Sequence, residues 1–210
     1  NAASIQKNIA TSSMQATIRW MLSLQRLIVG TDGAEVSARA DAFDAPLTPT
    51  ASSFKEFSNI GVSAVTPAKF GSRAFFVSGA GDKLYQLVYN FEQQDYDCDD
   101  MTELNEEIGS GGAGYTIVQL AVQRKPQPYV WAVRSDGTVL LFLFSPKHGI
   151  TCWTRQLFDG STGIVESVYV LPTSAGQDRV YLWVKRTVNG STVRYLEKLC
   201  LTTEALGGST

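Results

Sequence analysis

RVYLWVKRTVNGSTVRYLEKL, Arg179 to Leu199, reads as the two strands of a β-hairpin. Asn189-Gly190 sits between two hydrophobic runs. A two-residue type I′ turn needs positive φ at both central positions, and Asn-Gly supplies that at little steric cost. Three further stretches repeat the plan: RLIVGTDGAEVSAR (Arg26 to Arg39), RAFFVSGAGDKLYQLVYNF (Arg73 to Phe91) and YVWAVRSDGTVLLFLF (Tyr129 to Phe144). Their starts at Arg26, Arg73, Tyr129 and Arg179 lie 47, 56 and 50 residues apart. A period of that size with one hairpin per unit predicts an all-β, β-propeller-like repeat of about four antiparallel units.

Working outward, the expected units lie near residues 17–39, 60–94, 115–158 and 164–200, within a β domain over 17–201. Residues 1–16 read as a tag remnant or irregular lead-in, and 202–210 as a disordered tail. Ile18, Trp20, Leu22 and Leu24 alternate with Arg19, Met21 and Ser23, which favours a strand there over a helix. Residues 40–72 read as a long connection punctuated by Pro46, Pro49 and Pro67, with a short strand from Phe54–Phe57 and Ile60–Val65. Asp95 to Glu107 reads as an acidic connection that runs into a short helix over Met101 to Ile108. A glycine cluster from Gly109 to Gly114 follows. The third unit divides into GYTIVQLAV, YVWAVR, TVLLFLF and ITCWTRQL. The fourth divides into IVESVYVL, RVYLWVK and STVRYLEKL. Strands this apolar on both faces call for cover on both faces. Trp131, Phe142, Phe144, Trp153, Tyr181, Trp183 and Tyr195 are expected to fill the spaces between sheets.

Composition narrows the function classes. The 210 residues are 44% hydrophobic and 18% charged, a globular rather than disordered balance. A net charge of −2 supplies no basic field for nucleic-acid phosphates. Cys98, Cys152 and Cys200 are too few and too far apart for a disulfide framework, and read as free thiols made in a reducing cytoplasm. No apolar run approaches the ~18 residues of a membrane span, and no signal peptide is visible. The start at Asn1-Ala2, without Met, reads as a piece of a longer protein.

Several patterns bear on chemistry. Asp95, Asp97, Asp99 and Glu106 copy the oxygen-ligand spacing of an EF-hand calcium loop. Asp100 stands where that loop needs glycine, and Thr102 where it needs a packing aliphatic. A solvated acidic loop is the plainer reading. Gly109-x-Gly111-x-x-Gly114 has the dinucleotide spacing without the strand before it or the helix after it. His148 is the only histidine and has one cysteine, Cys152, nearby, which makes neither a zinc site nor a nucleophile–base pair. No carboxylate pair stands out for glycoside hydrolysis. Asn189-Gly190-Ser191 reads as turn chemistry rather than a glycosylation site. Arg179, Tyr181, Trp183, Lys185 and Arg186, with Arg194-Tyr195, interleave basic and aromatic residues as a nucleic-acid platform does. The expectation is that strand alternation sends the rings to one face and the cations to the other. No catalytic residue, cofactor site or metal site is assigned, and an enzyme is not expected.

The same residues resemble a known family. LIVGT-x-G-x-E from Leu27, A-G-x-x-L-Y-x-x-x-Y-x-x-E from Ala80, W-x-V-R-x-D-G-T from Trp131 and R-x-V-N-G-x-T-x-R-Y-x-E from Arg186 resemble, in order and spacing, the nozzle proteins of short-tailed bacteriophages. These are also called tail tubular protein B, and relatives occur in prophages. The likeness covers roughly Ile18 to Leu199. It implies a virion structural protein with a propeller-like body, present in the tail and assembled in the bacterial cytoplasm. Copies of it form a homo-oligomeric ring with the adaptor and tail-fibre proteins as neighbours. Double-stranded DNA passes through that ring without specific binding, and no membrane is involved. The family's full-length members are much longer than this chain. The alternatives are a propeller that binds a protein or carbohydrate and, further off, a propeller hydrolase.

Overall fold

Each of the four quoted stretches folds as the second and third strands of an antiparallel sheet in the computed structural model, which describes residues 4–5, 17–40, 45–158, 163–174 and 176–205. The first sheet contains β1 (Ile18–Ser23), β2 (Leu27–Thr31), β3 (Glu35–Arg39) and β4 (Ser53–Ser58). The second contains β5 (Ala68–Phe70), β6 (Arg73–Val77), β7 (Leu84–Asn90) and β8 (Asp95–Asp100). β9 (Ile117–Gln123), β10 (Tyr129–Arg134), β11 (Val139–Ser145) and β12 (Ile150–Gln156) form the third. The fourth has three strands, β13 (Ile164–Leu171), β14 (Arg179–Val188) and β15 (Ser191–Lys198). Spatial order equals chain order in every sheet, so the fold is all-β and each sheet is an up-and-down meander.

The chain divides into two compact units, residues 1–106 and 107–210, with two sheets in each. The first unit's core gathers Trp20, Ile28, Val62, Ala74, Phe76, Leu87 and Tyr96. That of the second gathers Trp131, Val133, Val139, Val165, Val168, Val180, Leu182 and Val184. Alternation explains the choice: in β14, Val180, Leu182 and Val184 are buried while their neighbours point the other way.

The turns are built by the residues that mark them in the sequence. Asn189 and Gly190 have φ of 49° and 78°, with Val188 and Ser191 paired across them, as a type I′ turn requires. At the β2–β3 turn, Thr31 Oγ1 accepts from the Ala34 amide at 3.0 Å and donates to the Ala34 carbonyl at 2.7 Å. Gly30 lies opposite Trp20 in the β1–β2 ladder, and a Cβ at Gly30 would sit 2.6 Å from the indole ring.

The two units repeat one set of cross-links. In the first, the Asp32 amide donates to the Thr17 carbonyl (3.2 Å) and its carboxylate accepts from the Thr17 amide (2.8 Å). In the second, Ser135 and Thr116 make the same reciprocal pair, at 2.8 and 3.1 Å. Each central turn also holds the chain on its way into the next sheet. The Val62 amide donates to the Thr31 carbonyl at 2.8 Å, and the Val165 amide to the Gly137 carbonyl at 3.1 Å. Thr17/Thr116, Asp32/Ser135 and Val62/Val165 are offset by 99, 103 and 103 positions. The fold therefore also repeats at the level of sheet pairs.

Several sequence expectations need correction. Within residues 40–72 the strand expected at Phe54–Phe57 is present as Ser53–Ser58 and completes the first sheet, whereas Ile60–Val65 contributes only the single bridge Val62–Ser78 and Ala68–Phe70, read as connection, opens the second sheet. The first two units therefore extend past 39 and 94. Asp95–Asp100 is a strand, because Tyr96 is buried and the segment pairs with β7 from Tyr85–Asp100 to Asn90–Asp95. Thr202–Ala205, expected as disordered tail, is one helical turn. Trp131, Phe142 and Phe144 are buried as expected, but Trp183 and Tyr195 are 38% and 46% exposed. The assigned lead-in lies, but for residues 4 and 5, outside the described residues, as do 206–210.

Candidate functional site

One face of the fourth sheet groups several exposed large hydrophobic residues. Residues 179, 181, 183 and 185 share parity, so Arg179, Tyr181, Trp183 and Lys185 line one face of β14. This corrects the expectation that rings and cations separate: a period of two groups residues two apart. The register extends the face sideways. Tyr181 is opposite Tyr169 and Lys198, Trp183 is opposite Ser167 and Leu196, and Arg179 is opposite Leu171. Tyr169, Leu171 and Leu196 are each more than half exposed. Together with Ser167, Tyr181 and Trp183 they line a shallow depression of about 620 Å³. The buried residues of β13 and β14 face the other way, into the core shared with the third sheet.

Cations rim this surface. Lys185 pairs with Arg194 across the ladder, and Arg194 holds Glu166 through two hydrogen bonds of 2.8 and 3.1 Å. Arg179 lies 3.7 Å from Glu204. Hydrogen bonding and charge from Arg194 keep the Glu166 carboxyl below its ordinary range. Arg179, Lys185, Arg194 and Lys198 thus outnumber Glu166 and Glu204, and the rim is net positive. The arrangement offers flat ring faces and a positive edge, the chemistry of a docking surface.

A second cluster surrounds Asp95 in the first unit. Its carboxylate, 5% exposed, is ion-paired to Arg39, lies 3.7 Å from Lys55 and 4.0 Å from Arg26, and accepts a hydrogen bond from Ser37 Oγ at 3.0 Å. Arg26 also donates to the Gln94 carbonyl and to the Tyr89 hydroxyl. The cations come from the first sheet and the carboxylate from the second, so the cluster ties the two sheets together. A cleft of about 540 Å³ beside it is lined by Ser23, Gln25, Arg26, Arg39 and Gln94, among others.

Glu35, the last residue of LIVGT-x-G-x-E, is fully buried at the start of β3. Burial raises its pKa. Ser58 and the backbone of Ile60 and Gly61 lie near enough to offset part of that rise, yet neither carboxyl oxygen makes a hydrogen bond of normal geometry. Burial likewise pushes the nearby Cys98 thiol up to about 12. The Cys98 thiol therefore stays protonated at neutral pH, and burial shifts Glu35 toward its protonated form.

The other predicted residues do not converge. Asp95, Asp97 and Asp99 alternate along β8 with Asp95 committed to Arg39 and Asp97 to Asn90, so they cannot wrap an ion as a loop does. No group of three or more His, Cys, Asp or Glu able to hold a metal occurs among the described residues. His148 is exposed in a 3₁₀ turn, its Nδ1 2.9 Å from Ser145 Oγ. All three cysteines are free. Cys98 is half-buried, whereas Cys152 and Cys200 are exposed. The glycine cluster packs on Arg134: a Cβ at Gly111 would lie 2.7 Å from the guanidinium, which also donates to the Ile108 carbonyl at 3.1 Å. No helix among the described residues is long and apolar enough to cross a membrane.

Two of the quoted motifs carry ion pairs within their own sheets. In W-x-V-R-x-D-G-T, Arg134 Nη2 and Nε donate to the Asp136 carboxylate at 2.6 and 3.0 Å, and Asp136 also accepts from Thr138. Burial opposes ionisation there, but Arg134 and Thr138 hold the Asp136 pKa down at about 2. In R-x-V-N-G-x-T-x-R-Y-x-E, Arg186 grips Glu197 through two hydrogen bonds. Residue spacing could have revealed the fourth sheet's aromatic face, since 179, 181, 183 and 185 differ by two. Nothing local signals the burial of Glu35. No protein-family model matches the chain, and no curated protein matches it either.

Proposed function

We propose that this chain is a structural part of a short-tailed phage tail nozzle, with its four sheets arranged as blades of a propeller-like body around the path of DNA exit. The observation that carries the reading is the regular meander. Each of the four quoted stretches forms the second and third strands of its own sheet, and the motif pairs Arg134–Asp136 and Arg186–Glu197 tie those strands and turns together. A conduit gains from this economy. Each phosphate neutralised by a fixed cation adds affinity through counterion release, so a wall that lets a duplex slide carries little net positive charge. The chain's net charge of −2 suits that task.

The test is genetic and structural. Disruption of the gene in its phage or prophage leaves DNA-filled heads without a nozzle, unable to deliver their genome, and antibody against the protein labels the tail tip of intact particles. Normal plaque formation by the disrupted phage overturns the reading.

A further inference from the structure

The cationic aromatic face has a counterpart elsewhere on the chain. Leu104 is 100% exposed, the most exposed large hydrophobic residue described. It sits in the 3₁₀ turn Glu103–Asn105, with exposed Glu103 and Glu106 on either side. The turn is held firmly: Thr102 is buried, its amide donates to Asp100 at 2.8 Å, and Lys83 Nζ donates to the same carboxylate group at 2.9 Å. The Asn105 amide closes the turn on the Thr102 carbonyl at 2.9 Å. An apolar knob between two carboxylates is therefore presented in a fixed shape, which lowers the entropy cost of docking.

We propose that this acidic knob of one copy docks on the outer face of β13–β15 of a second copy. Leu104 enters the depression between Tyr169, Tyr181, Trp183 and Leu196, while Glu103 and Glu106 meet Lys185 and Lys198 at its rim. Charge complementarity selects the occupant: the face carries excess positive charge, and the knob brings two negative charges beside one large apolar side chain. Knob and face are different surfaces, so the contact is head-to-tail, the type that closes into a ring or runs on as a chain. One leucine and two carboxylates make a small contact, weak for an isolated pair and strengthened when several contacts close together. The contact follows from these surfaces alone and is independent of the nozzle reading.

Sedimentation velocity on the full chain, over about a hundredfold range of concentration, tests it. Wild type is expected to self-associate as concentration rises. Glu103→Lys/Glu106→Lys in one variant and Lys185→Glu/Lys198→Glu in another are each expected to weaken association at least about tenfold. Mixing the two variants is expected to restore it, because the intact knob of one meets the intact face of the other. Restoration in the mixture also shows that both variants remain folded, and circular dichroism of each checks this separately. A wild type that stays monomeric throughout overturns the proposal, as does a folded pair of variants whose mixture does not associate. A knob that folds back on its own chain gives the first of these results. Assembly that is indifferent to both charge reversals also overturns it. None of these outcomes bears on whether gene disruption removes a nozzle.

Discussion

Glu35 shows how a motif letter can carry a cost that the sequence hides. After a hairpin turn, an acidic residue reads as solvent-facing, yet the approach of Ser58, Ile60 and Gly61 buries it completely. Its pKa is raised, so the folded state holds a proton that the unfolded chain releases near the ordinary value of 4.5. The first unit's stability is therefore greatest, on this account, below about pH 4.5 and declines as pH rises through the folded pKa. The other shifted carboxyls in this unit do not mask that window. Asp32 is lowered by the Thr17 amide. Asp100 is lowered by Thr102 and Lys83 against the opposing effect of burial, and both act only at or below about 3.8. Glu35→Gln keeps the shape and removes the ionisation. Urea unfolding of the first unit across pH 4.5–8 is expected to show a declining stability for wild type and a flat one for the variant. The variant is expected to be the more stable of the two at the high-pH end, where ionisation of Glu35 opposes folding of the wild type alone. Equal slopes for the two proteins overturn the assignment.

At the scale of elements, the hairpins were legible because their turns need particular residues. Asn189-Gly190, Gly137 and Gly81 all have positive φ, and the flanking strands alternate. What stayed hidden depends on partners distant in sequence. DYDCDD over Asp95–Asp100 has the composition of a loop, and becomes a strand because β7 offers a ladder and Tyr96 a buried anchor whose hydroxyl accepts the Gln25 and Arg26 amides. Ala68–Phe70 is too short to show a period. The aromatic face was spelled out in the spacing of 179 to 185, but whether anything covered it was not. Two glycines separate local from tertiary demands. Gly190 has φ of 78° with nothing within 4 Å of a built Cβ, whereas Gly137, at 85°, would place that carbon 2.3 Å from Ile164 Cγ2. Gly190→Ala is expected to cost about 1 kcal/mol of second-unit stability, from backbone strain alone. Gly137→Ala adds overpacking and is expected to cost about 2–4 kcal/mol. Equal costs in denaturant unfolding refute the packing role of the Gly137–Ile164 contact.

For the whole molecule, the repeat that matters to stability is the sheet pair rather than the single hairpin. Each unit has its own core, and its first sheet's central turn holds the chain that enters its second sheet, through Thr31–Val62 in one and Gly137–Val165 in the other. A unit with its own core can unfold as its own cooperative block. The tryptophans allow a direct check, because Trp20 lies in the first unit while Trp131, Trp153 and Trp183 lie in the second. In a Trp20→Phe background, fluorescence reports the second unit, and circular dichroism reports both. Asp136→Asn then acts on the second unit alone. The Asp136 pKa is lowered to about 2, so its ion pair with Arg134 stabilises fully above the ordinary value of 3.8 and is lost as pH falls through 2. At pH 7 its removal is expected to cost about 2 kcal/mol. The fluorescence midpoint should move to lower urea by that amount, while the circular dichroism transition splits, with only its second-unit component shifted. The same substitution should have little effect when unfolding is measured near pH 2, where about half of the carboxyl is already protonated in the folded chain. A single transition that moves as a whole with Asp136→Asn would mean that the two units fold as one block, and that the sheet pair is a geometric repeat without being an energetic one.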